Sequence, residues 1–169
     1  MAKKKKSPTQ SRKSMGKIYH KKTEIDGIVF DSQTEAEYYE YLKDQFNKKR
    51  IRKFEMQKEF ILQKKFLIIN GERIDEDHKD FKKLQKANPG CTTQAIKYIA
   101  DFVVYHPNGS IQVIDVKGQK TADFKLKEKM FNYMYPEYNK LFCVVKYKGE
   151  WLEYNEANKL KKTNKKSKK

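Results

Sequence analysis

Asp115 and Lys117 stand two residues apart at the end of the apolar run SIQVIDVKG (110–118). The Asp-x-Lys pattern occurs four times in this lysine-rich chain, at Asp77/Lys79, Asp80/Lys82, Asp115/Lys117 and Asp123/Lys125, but only this copy falls in an apolar strand pattern. Strand side chains alternate between faces, so Asp115 and Lys117 share a face with Ile111 and Val113, while Ile114 and Val116 take the other. A charged pair ending a buried strand is costly unless the charges are paired or hold a metal. A second aspartate, Asp101, is embedded in IKYIADFVVY (96–105), which the turn HPNG (106–109) joins to SIQVIDVKG as a hairpin. Two carboxylates on adjacent strands can share a divalent cation. Mg²⁺, or Mn²⁺ in its place, suits carboxylates with a backbone carbonyl and keeps positions open for water and phosphate oxygens. Such an ion activates water and neutralises a scissile phosphate, and an ammonium at Lys117 would stabilise the charge that develops. The chemistry expected is phosphodiester hydrolysis.

Other chemistries find little support. His20, His78 and His106 have no metal-ligand spacing, Cys91 and Cys143 form no CxxC pair, and the acidic stretch at Asp75, Asp77 and Asp80 lacks the glycine and terminal glutamate of a calcium loop. There is no glycine-rich phosphate loop and no GxSxG.

The elements that would position these residues are legible in part. Asp26-Gly27 between apolar arms predicts a small hairpin. Ser32-Gln33-Thr34-Glu35 has the form of a capping box, and Ala36, Tyr39, Leu42 and Phe46 continue it as a helix to about Asn47. Ile51–Ile69 reads as a short strand followed by a long one, and 70–94 as a loop or insertion. After Lys117, residues 122–135 predict a helix with Phe124, Lys127, Phe131 and Met134 on one side, stopped by Pro136. A buried strand at 141–146 and a hairpin return at Trp151-Leu152 follow.

The chain has 169 residues and a net charge of +17, and its distribution matters more than its size. Residues 1–22 hold nine basic and no acidic residues, and 159–169 hold seven and none, so the intervening body is nearly neutral. The expected organisation is a disordered basic tail at 1–17, one domain at 18–158 and a second disordered basic tail at 159–169, with the tails binding a polyanion by counterion release. No apolar run approaches a membrane span and the N-terminus lacks a signal-peptide pattern, so no membrane is expected as a partner.

With an acid on the first helix, an aspartate on one strand and Asp-Val-Lys on the next, the chain resembles the PD-(D/E)XK nuclease superfamily. The phrases FDSQTEAEYYEYL (30–42), FILQKKF (60–66), KYIADFVVY (97–105) and DVKGQKTADFKLKEKMF (115–131) are similar to a small phage and prophage family within it. Ala100 stands where the superfamily's name has proline, and Asp115 where glutamate is commoner. The resemblance implies an α/β, restriction-endonuclease-like α-β-β-β-α-β core with a mixed central sheet. It further implies a Mg²⁺- or Mn²⁺-dependent endonuclease acting on DNA, selective for branched DNA or Holliday junctions, in the cytoplasm of a bacterial host. Glu35, Asp101, Asp115 and Lys117 would be catalytic, with Glu35, Asp101, Asp115 and Val116 at the metal. Glu35 has a competing role at the third position of its capping box. Lys120, Lys125, Lys127 and Lys129 would contact phosphates, Gln63 would line the site, and cutting both strands would call for a symmetric homodimer. Two other readings remain open at this point: a non-catalytic nucleic-acid-binding protein, and a phage–host interaction protein on the same fold.

Overall fold

The structure is a computed structural model and describes residues 22–166; the expected tail at 1–17 lies outside the described residues. The chain opens with a hairpin of β1 (Thr23–Ile25) and β2 (Ile28–Phe30). Its turn residues Asp26 and Gly27 both take positive φ, 55° and 76°, the conformation for which Asp-Gly is suited. Helix α1 (Gln33–Asn47) starts at Ser32, whose Oγ accepts the Glu35 N–H at 3.1 Å. It buries Ala36, Tyr38, Tyr39 and Leu42, whereas Phe46, expected on this face, is half exposed.

Then come β3 (Lys53–Gln63), β4 (Phe66–Ile69), β5 (Glu72–Asp75), α2 (Phe81–Ala87), β6 (Thr92–Thr93), β7 (Ile96–Tyr105), β8 (Ile111–Val116) and α3 (Ala122–Met134). A 3-10 turn at Pro136–Tyr138, β9 (Leu141–Tyr147), β10 (Glu150–Glu153) and α4 (Tyr154–Lys166) complete the chain. The central sheet has the order β10-β9-β8-β7-β3. All its pairs are antiparallel except β8–β9, which the α3 crossover makes parallel. This mixed sheet with helices on both faces and a leading hairpin is the restriction-endonuclease-like arrangement that the resemblance implied.

The two faces bury separate cores. On one, α1 covers Phe30, Tyr38, Leu42, Phe102, Ile114 and Val116; on the other, Phe124 and Phe131 of α3 cover Phe60, Tyr98, Val103 and Val113. Ile114 and Val116 therefore face α1, and Val113 faces α3, as alternation requires. The long strands β3 and β7 change sides midway. Phe54, Met56, Phe102 and Val104 belong to the α1 core, whereas Phe60, Leu62, Tyr98 and Ala100 belong to the α3 core. The change falls at Gln57, whose φ of 53° is left-handed and costs a residue with a Cβ on the order of 1 kcal/mol. The β3–β7 register holds on both sides, Met56 opposite Phe102 and Lys58 opposite Ala100, and passes over Gln57 and Asp101.

Four expectations are corrected here. The long strand of the 51–69 region comes first and the short one second, because β4 leaves the central sheet. Residues 70–94 form no plain loop: β5 and β6 flank β4 in a separate three-stranded sheet, with Leu67 and Phe81 buried beside it. The segment from 159, expected to be disordered, continues α4 to Lys166. Met134, placed with the buried side of α3, is also largely exposed. Among the described residues no helix is long and apolar enough to cross a membrane.

Candidate active site

Asp101 and Asp115 are the two buried charged residues of the described chain, 8 % and 1 % exposed. The β7–β8 ladder pairs Phe102 with Ile114, so its next step would set Asp101 opposite Asp115, and there the ladder stops. Instead, the Val116 N–H donates to Asp101 Oδ2 at 2.7 Å, a side chain standing in for the missing backbone acceptor. The strands open into a fork whose two prongs each carry a carboxylate.

Asp115 is held from one side only. The buried Tyr98 hydroxyl donates to its Oδ1 at 2.8 Å, and Lys117 Nζ lies 3.2 Å from its Oδ2. The ammonium approaches outside hydrogen-bonding geometry, so Oδ2 is left without a hydrogen-bond partner although it is fully buried. Lys117 itself is anchored through its backbone N–H to Val144 O at 3.0 Å, and its ammonium lies 5.9 Å from the Phe124 ring centre, on the α3 side.

Glu35 reaches the fork from α1. Ser32 Oγ donates to its Oε1 at 2.9 Å while accepting its backbone N–H, so cap and carboxylate are tied together. Glu35 and Asp101 line a cavity of about 230 Å³ with Phe30, Met56, Gln57 and Phe102; Asp115 and Lys117 do not line it. The strand reversal at Gln57 thus brings Asp101 onto a wall shared with the helix acid.

Electrostatics sets this group apart from the surface ion pairs. Burial, and then the neighbouring charge of Asp115, push the Asp101 carboxyl up to about 7. Burial likewise raises Asp115 against the opposing pull of Lys117, and raises Glu35 against the Ser32 hydrogen bond. Burial alone would lower Lys117, but the carboxylates around it, Asp115 first, outweigh that and hold it above the ordinary lysine value. Two carboxylates raised by burial, Asp101 also by the charge of Asp115, with one Asp115 oxygen held only by its ion pair to Lys117, form a site that a further cation would stabilise. Its hard oxygen donors fit a cation of the Mg²⁺ type: Asp101, Asp115 and the Val116 carbonyl, with Glu35 beside them. Among the described residues no three His, Cys, Asp or Glu side chains converge on one metal position. The fit is therefore to an ion that takes one or two carboxylates and leaves the rest of its shell to water and phosphate.

The remaining expected site residues are dispersed. Gln63 pairs with Ile96, five positions along β7 from Asp101, and does not line the cavity; the glutamine on its wall is Gln57. Lys120 is not a surface contact: its side chain is 9 % exposed, pairs with Glu128 at 2.6 Å and lies 5.7 Å and 5.3 Å from the Phe124 and Tyr154 ring centres. Lys127 pairs with Asp123 at 3.5 Å, and Lys125 and Lys129 are exposed on α3. Sequence reasoning missed Tyr98, because a contact across two strands leaves no trace in spacing. It also missed Gln57, whose left-handed backbone no glycine or asparagine announced.

Fold and side chains together define a restriction-endonuclease-like α/β domain with a buried carboxylate pair and a lysine at the fork of its central strands. The chain belongs to the family described as "Protein of unknown function (DUF1064)", which it matches over residues 15–150. No curated protein and no solved structure matches it.

Proposed function

We propose that this chain is a divalent-metal-dependent endonuclease that hydrolyses phosphodiester bonds in DNA, with branched DNA of the kind met in phage replication and recombination as its preferred substrate. The observation that carries the reading is the pair of buried aspartates, with Asp115 Oδ2 buried, without a hydrogen bond and held only by its ion pair to Lys117 at 3.2 Å. Two buried carboxylates with Lys117 as the ammonium at 3.2 Å are costly to the fold, and a further cation would offset that cost. Bound Mg²⁺ or Mn²⁺ would supply Lewis-acid neutralisation of the phosphate and a more acidic water. Asp101, Asp115 and the Val116 carbonyl would hold the ion, and Tyr98 keeps Asp115 from rotating. The Lys117 ammonium, kept charged by its carboxylate neighbours, is available to a phosphate oxygen or to the attacking water. Glu35, with its raised carboxyl, lines the same cavity as Asp101 and would take part through water.

Plasmid, single-stranded and four-way-junction DNA incubated with Mg²⁺, Mn²⁺ or EDTA test the reading. Nicking is expected with metal and not with EDTA, and Asp115→Asn should abolish it while leaving DNA binding intact. Undiminished cleavage by folded Asp115→Asn protein removes the assignment. A second reading, a non-catalytic DNA-binding protein on this fold, draws on the absence of a third converging carboxylate among the described residues. Binding without cleavage under every metal would favour it. Cutting of both strands would require two copies of the chain, which sedimentation on a junction substrate measures.

A further inference from the structure

The lysine-rich C-terminal segment is part of the fold, and its placement has a direction. Strands β8 and β9 run parallel with Asp115 level with Cys143, so Lys117 comes level with Val145 and β9 continues past it to Tyr147. Odd-numbered residues of both strands face α3: Val113 and Lys117 on β8, Leu141 and Cys143 on β9. Tyr147 is therefore on the face of Lys117, about 7 Å further toward the same end of the sheet.

Helix α4 runs alongside. It begins at Tyr154, packed against the α3 core, is seated by the fully buried Ala157, and reaches Tyr147, whose hydroxyl accepts from Asn164 Nδ2 at 2.8 Å. Lys161 Nζ lies 5.7 Å from the Tyr147 ring centre. Half-buried Tyr154 and buried Ala157 seat the helix, Lys161 and Asn164 continue their stripe at helical spacing as exposed residues that reach Tyr147, and Lys159 and Lys162 form an exposed ridge turned away from it. Glu156 is the only acid of α4. A cationic ridge thus projects beside the site end of the sheet, on a helix fixed at both ends. A disordered arm would have placed the same charges anywhere.

Resting on the endonuclease reading above, we infer that α4 is a fixed rail for the phosphate backbone of duplex DNA, with Lys159 and Lys162 gripping one strand to one side of the scissile phosphate. From the strand and helix offsets the ridge lies roughly 15 Å from Lys117, which at about 3.4 Å per phosphate puts its contacts about three to five phosphates away. The charge fixes the register of the duplex over the fork and not merely its affinity.

Two measurements on the full-length protein test this. In EDTA, binding of a linear duplex is followed against salt for wild type and for K159Q/K162Q. The double variant is expected to reduce the slope of log K against log salt by about 1.8, and an unchanged slope overturns the rail. With Mg²⁺, cleavage is mapped on duplexes carrying single neutral methylphosphonates. Wild type should be slowed about fivefold or more at bonds with the neutral linkage three to five positions to one side, and K159Q/K162Q should be indifferent to it. Y147F/N164A keeps every lysine but unfastens the helix end, and it should keep the salt slope while losing the one-sided effect. A wild-type effect spread evenly over both sides overturns the inference in favour of a floating arm. Absence of cleavage by wild type under every metal defeats the endonuclease reading, and the EDTA slopes then decide alone whether α4 is a DNA-binding surface.

Discussion

Replacing Asp101 with asparagine should make the metal-free protein more stable at neutral pH, although the residue is proposed to be essential for activity. Asparagine is nearly isosteric and its Oδ1 can keep the Val116 N–H bond, so the change removes charge and little else. The folded-state carboxyl of Asp101 sits at about 7, far above its unfolded value, because of burial and the nearby Asp115. A group raised in the folded state binds more protons there than in the unfolded chain. The associated stability is complete below the unfolded pKa and is lost as pH rises through about 7. Between pH 5 and pH 8 this loss covers about two pH units at 1.36 kcal/mol each, or about 3 kcal/mol. For a chain of this size that corresponds to about 6–12 °C in Tm. Thermal unfolding in EDTA at pH 5, 6, 7 and 8 reads it directly. Wild type and D101N should lie closest at pH 5 and diverge as pH rises, with D101N the more stable. Adding Mg²⁺ at pH 8 should raise wild type and leave D101N unmoved. Parallel curves from pH 5 to 8 would refute the reasoning, since they would mean that Asp101 ionises in the folded protein without penalty.

Three further outcomes follow from the same geometry. Lys117→Ala should bind Mn²⁺ by calorimetry within a few-fold of wild type yet lose at least about a hundredfold in turnover, because the ammonium acts on charge that develops at the phosphate; joint collapse of affinity and rate would make it a structural residue. Tyr98→Phe removes the donor that fixes Asp115, so metal affinity should fall about 10–100-fold while turnover at saturating metal largely recovers, and a loss of turnover with unchanged affinity would contradict this. Truncation after Glu153 should cost about 3 kcal/mol by urea unfolding, because Tyr154 and Ala157 leave buried positions, whereas truncation after Asn164 should cost less than about 0.5 kcal/mol.

Where local chemistry settles the backbone, the sequence was readable. Asp26-Gly27 fixes the hairpin, Ser32 the start of α1, and Asn108-Gly109 the turn that sets Asp101 and Asp115 on neighbouring strands. Alternation then assigned the faces of β8. It could not reveal that β3 and β7 turn over at Gln57 and Asp101, because the apolar residues stay at even positions while the core they serve changes. The separate sheet of β4, β5 and β6 was hidden for a related reason: its strands are short and paired only with one another, and β5 and β6 are mostly polar. α4 was obscured by charge. Its lysines dominate any window begun at 159, whereas the residues that dock it, Tyr154 and Ala157, lie before that point. Lys120 looked like its neighbours in sequence, and only the folded chain sets it between Phe124, Tyr154 and Glu128.

The pairing of Gln63 with Ile96 makes the small sheet detachable. The chain leaves the central sheet at the end of β3 and re-enters at the start of β7, and these two points are cross-strand neighbours. Everything from 64 to 95 hangs from a single doorway one strand spacing wide, with its own buried Leu67 and Phe81. A short reverse turn would close β3 onto β7 and leave Gln57, Asp101 and the fork untouched. The protein is thus built as an adapter: a frame that carries the carboxylate fork, with one module plugged into the far end of its longest hairpin, open to being shortened, lengthened or replaced without renegotiating the carboxylates.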